Sequence, residues 1–131
     1  MVGATTRAAV NLSNAFVALI VTPSFAHHSF ARFDTERQVI LEGIVREFMW
    51  TNPHAWIILI VDHKGREEQW AIEMSGPNGL ARQGWRPKTL VPGMPVRVTV
   101  RPLRDGTYGG QFMEITLPDG AVLNSGSVLH Q

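Results

Sequence analysis

Five histidines and no cysteine set the chemistry open to this chain of 131 residues. Without thiolates there are no disulfides, no thiol nucleophile and no thiolate metal centre, so a metal must be held by histidine, carboxylate, thioether or an α-amine. Two histidines, His27 and His28, are adjacent and follow Thr22-Pro23-Ser24-Phe25-Ala26. Ser24 and Ala26 are the small residues that signal peptidase needs three and one positions before its cut. Cleavage there makes His27 the mature N-terminus. A free α-amine and the Nδ1 of the same residue close one chelate ring on a metal, so two bonds require the ordering of a single residue. One more imidazole completes a T-shaped plane of nitrogens, a histidine brace, and tetragonal nitrogen donors favour Cu(II). The amine must be deprotonated, which its unperturbed pKa of about 7.7–8.0 makes easy at neutral pH.

His54 is the best source of that imidazole. Pro53 fixes the turn before it, and the histidine opens a strand between Trp50 and Trp56. The alternative is a turn histidine satisfied by backbone hydrogen bonds. His28 competes, because its imidazole, the intervening amide and the amine chelate copper without a folded site. His63, in an exposed turn, and His130, in the tail, read as bystanders.

The remaining side chains point less sharply. Trp50, Trp56 and Asn52 frame a surface on which a ligand can stack, and Trp70 and Trp85 extend the aromatic set, although Trp70 and at least one other belong to the core by pattern. Arg97, Arg101 and Arg104 read as a solvated outer face of one strand. Glu67, Glu68 and Glu73 show no spacing that singles out an acid and a base. There is no phosphate-binding glycine loop, nucleophile elbow, HExxH helix or EF-hand loop. A non-enzymatic role is therefore favoured.

These residues need elements to carry them. Residues 1–26 hold one basic residue, Arg7, no acid, and an apolar core from Ala15 to Val21, the make-up of a signal peptide. That run is too short to span a bilayer; the alternative reading is an uncleaved anchor. The mature chain balances eleven basic against eleven acidic residues, so it has no global pull on nucleic acid or anionic membrane. A periplasmic or secreted protein follows, with one domain over 27–123, a polar tail over 124–131 and no membrane attachment after cleavage.

Within the domain, Val39 to Trp50 reads as a long first strand, bent or bulged at Gly43, and Ala55 to Val61 as a second ending at the hairpin turn Asp62-His63-Lys64-Gly65. Trp70, Ile72 and Met74 alternate with polar partners to give a third. Ser75-Gly76-Pro77 starts a short helix reaching Gly84. Val96, Val98 and Val100 mark a fourth strand, Gln111 to Leu117 a fifth, and Ala121 to Leu123 a short sixth. This order predicts an all-β fold: a small five- to six-stranded OB-like Greek-key barrel with one short helix between strands three and four. A β-sandwich or another small barrel is the alternative.

Ala26-His27-His28-Ser29-Phe30, Phe33-Asp34, Gly43, Trp50-Thr51-Asn52-Pro53-His54-Ala55, Gly84-Trp85 and Pro92-Gly93 together resemble a family of small exported bacterial proteins known only as domain of unknown function 6152. The resemblance spans the mature chain. It implies export and an all-β domain, carries no activity, and directs attention to the junction histidines and to Asn52-Pro53-His54. Two functional expectations follow from the residues. One is a periplasmic copper carrier or accessory protein using His27, His54 and, in competition, His28. The other is a metal-free OB-type module that binds a protein, peptide or glycan, such as a periplasmic protein partner, through its aromatic face.

Overall fold

The computed structural model describes residues 30–125 and the isolated residue 3, so the leader, His27, His28 and His130 lie outside the described residues. Among the described residues a 3₁₀ turn, Phe30–Arg32, precedes six strands: β1 Val39–Met49, β2 Trp56–His63, β3 Arg66–Glu73, β4 Pro95–Pro102, β5 Gly109–Thr116 and β6 Val122–Asn124. Helix α1, Pro77–Arg82, lies between β3 and β4. The strands run in the order β3-β2-β1-β4-β5-β6, and a parallel pairing of β3 with β5 closes the first five into a barrel, with β6 added beyond β5. This is the expected OB-like barrel. No helix among the described residues is long and apolar enough to cross a membrane.

β1 makes closure possible because it is long enough to serve two neighbours. Its first half pairs with β4 from Val39↔Val100 to Ile44↔Pro95, and its second half pairs with β2 from Ile44↔Ile60 to Met49↔Trp56. The strand changes partners where Gly43 stands. The bulge expected at Gly43 is instead a register shift between Val45 and Glu47. Gly43 serves close packing: a Cβ there would collide with the Ile60 carbonyl, so glycine lets the β2 backbone approach.

Alternation sets the core. Trp70 and Ile72 of β3, Met74 just beyond it, and Val96, Val98 and Val100 of β4 are all buried, as the period of two requires, while Arg97 is exposed and lies 3.5 Å from Glu42 across the ladder. Leu80 of α1 and Trp85 add to the same core. The Trp85 ring is fully buried and meets Phe112 edge-on at 5.5 Å and Phe48 at 6.1 Å. Deleting such a ring typically costs about 3–5 kcal/mol. The helix is shorter than expected. Its N-cap is Gly76, not Ser75, with no side-chain cap, so Pro77 in the first turn and the packing of Leu80 are what define it.

Candidate functional site

Glu73 is the last residue of β3 and stands opposite Trp56 in the β2–β3 ladder. The ladder extends past both strands: the Ala55 amide donates to the Ser75 carbonyl at 3.1 Å, and the Met74 amide donates to the Ala55 carbonyl at 2.9 Å. This continuation brings His54 beside Glu73. Nδ1 of His54 lies 2.5 Å from Oε1 of Glu73. Nδ1–H therefore donates to the carboxylate, and Nε2 points away from it, without a partner among the described residues.

The turn that delivers His54 is pinned on both sides. The Thr51 hydroxyl donates to the His54 carbonyl at 2.9 Å. The Asn52–Pro53 peptide is cis, and the Pro53 carbonyl rests so close to Gly76 that a Cβ there would stand 2.6 Å from it. Gly76 is thus required by the β1–β2 loop as well as by the helix it precedes.

The other Glu73 oxygen, Oε2, is ion-paired with Arg32 Nη2. Glu73 is buried, with 7% of its side chain exposed, whereas Arg32 and His54 are 47% and 40% exposed. A buried carboxylate needs compensating partners, and here two half-exposed side chains supply them. Arg32 is held in place by the strap after the 3₁₀ turn. Phe33 bridges to Leu103, the Asp34 amide donates to Pro102, and the Arg104 amide and guanidinium donate to the carbonyls of Arg32 and Ala31. The Arg32 guanidinium also sits 4.9 Å over the Phe33 ring.

His54 and Glu73 open onto a cavity of about 410 Å³, lined also by the apolar residues Phe33, Leu80 and Phe112 and by the polar residues Arg101 and Gln111. Of the aromatic and amide residues expected to bind a ligand, Trp50, Trp56 and Asn52 do not line this cavity. Trp50 and Trp56 are half-buried, Trp50 packing edge-on against Phe48 at 5.7 Å, and Asn52 is exposed at the turn. Among the described residues no three His, Asp or Glu side chains converge on one point. His63, expected in a turn, is instead the exposed last residue of β2, paired with Arg66 before the Lys64-Gly65 turn.

The three arginines of β4 and its turn do not share one solvated face. Arg97 faces solvent; Arg104 anchors the N-terminal strap; Arg101 is half-buried in the cavity wall. Glu73 and Arg32 also carry more than their sequence pattern suggests, because alternation places Glu73 on the outer face, away from Trp70 and Ile72. One signal was available. Counting back through the tight Lys64-Gly65 hairpin puts Trp56 opposite Glu73, and hence His54 near it.

A second polar cluster lies farther back along β3. Burial pushes the Glu68 carboxyl up, but hydrogen bonds from Tyr108, Trp70 and Arg66 outweigh it and hold the group below the ordinary glutamate value. Tyr108, exposed on the β4–β5 loop, packs its ring 5.6 Å from Trp70.

A family model described as a family of unknown function, DUF6152, matches residues 15–112. Neither a curated protein nor a solved structure matches the chain.

Proposed function

The chain belongs to the family of unknown function DUF6152, so its chemistry must be read from its own side chains, and we propose that it is an exported copper-binding carrier or accessory protein. In this reading the metal is held by the amine and Nδ1 of His27 at the mature N-terminus and by Nε2 of His54. One observation carries the proposal: Glu73 holds His54 by Nδ1 and Arg32 by its guanidinium at the same time.

The first contact is the arrangement found behind metal-binding imidazoles. A ligating histidine almost always donates its other N–H to a carboxylate or carbonyl, which sets the tautomer and makes the free nitrogen more basic. The second contact ties the N-terminal strap to the same carboxylate. His27 precedes Arg32 by five residues, and a chain reaches about 3.3–3.6 Å per residue, so the mature terminus has ample length to return to His54.

The alternative, a metal-free OB-type module, is favoured by a different observation. OB barrels bind through the face of strands two and three and the loops that follow strands one and four. Here the β4–β5 loop presents exposed Tyr108 against Trp70 of β3.

Copper titration separates the two. Protein recovered from the periplasm should have the intact mass of a chain beginning at His27 and bind one Cu(II). Adding one residue before His27, or replacing His54 by Ala, should each weaken binding by about 100-fold or more, since loss of a direct ligand costs at least as much as the roughly 10–100-fold loss of a group that only orients one. Equal affinity for wild type and His54→Ala would assign copper to local chelation by His27-His28 and leave the interaction module as the better reading.

A further inference from the structure

The cavity beside His54 is lined by a cation, Arg101, that no described side chain neutralises. Arg101 of β4 pairs with Gln111 of β5, and Gln111 in turn pairs with Glu73 of β3. Residues paired across neighbouring strands share a face, so Glu73, Gln111 and Arg101 form a row along one wall. Both oxygens of Glu73 are already engaged, by His54 and Arg32. Arg101 stands two strand spacings away, roughly 10 Å. It forms no ion pair among the described residues, and its Nε is shut off from solvent with no hydrogen-bond partner. The Gln111 amide beside it makes no side-chain hydrogen bond among the described residues either.

A buried guanidinium N–H without an acceptor is among the least favourable arrangements a fold can keep, because desolvation is not offset. Here one such group borders a cavity that the Gln111 amide and the apolar residues Phe33, Leu80 and Phe112 also line. We propose that this cavity binds a small organic carboxylate: the anion lies against the Arg101 fork and the Gln111 amide, and its apolar body lies against the Phe33, Leu80 and Phe112 wall. A planar fork matches a carboxylate by two parallel hydrogen bonds. The cavity volume of about 410 Å³ falls in the range of small-molecule sites, about 300–1,000 Å³. Inorganic phosphate would satisfy the guanidinium but leave the apolar wall wet. The site does not depend on the copper reading, since Arg101 and Gln111 are separate from the proposed metal ligands.

The test is a titration of metal-free protein with benzoate, with its neutral isostere benzamide and with inorganic phosphate. It is followed by calorimetry and by the backbone amide resonances of Gly110, Gln111 and Phe112. Benzoate should bind saturably and shift those resonances, benzamide should not bind, and phosphate should bind more weakly than benzoate. Arg101→Gln should weaken benzoate by about tenfold or more, the equivalent of one charge-assisted hydrogen bond. It should melt no lower than wild type, since it removes an unpaired cation, and Arg97→Gln should bind as wild type does. Protein carrying one extra residue before His27 should keep its benzoate affinity whether or not it loses copper, which separates this site from the metal proposal. Absence of saturable shifts at those amides, equal binding of benzamide, tighter binding of phosphate, or unchanged affinity in Arg101→Gln would each overturn the assignment. The benzamide comparison needs no variant, so the outcome stands even if a substitution impairs folding.

Discussion

His54 Nδ1 lies 2.5 Å from Glu73 Oε1, joining a loop residue to the end of a strand through the one side chain that also anchors Arg32. The β1–β2 loop, strand β3 and the N-terminal strap therefore meet at a single buried carboxylate. Removing that carboxylate unpairs two partners at once.

Glu73→Ala should lower stability by about 1–2 kcal/mol, less than for a fully buried pair, because Arg32 and His54 are half-exposed and partly solvated without it. Cu(II) affinity should fall by about 10–100-fold, the usual effect of losing the group that orients a ligating histidine. Urea unfolding and copper titration of the same samples check both. An unchanged copper affinity would show that Glu73 has a structural role only.

Two glycines near the helix should respond to alanine in opposite directions. At Gly76 a Cβ would stand 2.6 Å from the Pro53 carbonyl, whereas at Gly79 the nearest atom is the Ser75 Cβ at an ordinary 3.8 Å. Gly76→Ala should cost about 1–3 kcal/mol by pushing the turn away from its packed position, and it should disturb the His54 resonances. Gly79→Ala should stabilise by about 0.4–1 kcal/mol through the unfolded chain. Thermal melts of the two variants decide the matter, and a shared sign would contradict the geometry.

The register of β4 predicts a sharp contrast between neighbours. Val98 is fully buried and Arg97 is exposed beside Glu42. Val98→Asp should be severely destabilising, by roughly 4 kcal/mol or more, because it buries a charge without a partner. Arg97→Ala should stay within about 0.5 kcal/mol of wild type, as exposed ion pairs usually do. Chemical denaturation measures both, and a mild Val98→Asp would refute the barrel register.

Glu68 should contribute to an acid-sensitive stability. Its carboxyl is pushed up by burial but held below the ordinary value by the hydrogen bonds from Tyr108, Trp70 and Arg66. A group depressed in the folded state stabilises above its unfolded pKa, and that contribution disappears as pH falls through the folded value. The stability difference between wild type and Glu68→Gln should therefore be constant at neutral pH, shrink below the ordinary glutamate value and be lost below the folded one. Unfolding free energies measured across that window test the sign; a difference that grew on acidification would reverse it.

Much of the fold was legible without coordinates, and the reason is periodicity. The alternation of Val96, Val98 and Val100 with Arg97, Thr99 and Arg101 states which face is buried wherever the strand happens to pair, and Asp62-His63-Lys64-Gly65 states where the chain reverses. The leader and the junction histidines belong to composition, and the described residues neither add to nor subtract from that reading.

What the linear pattern could not show is what a polar residue on an outer face meets. Alternation assigns Glu73 and Arg101 to solvent, and both would be there on an open sheet. They are covered because β3 closes against β5 and because the strap bearing Arg32 and Phe33 folds over the seam. Closure and strap placement depend on long-range contacts that no local window encodes. The sequence by itself thus determined the strands and their inward faces. The tertiary structure alone decided that a buried carboxylate holds His54 and that, two strands away, the Arg101 guanidinium has no ion-pair partner among the described residues.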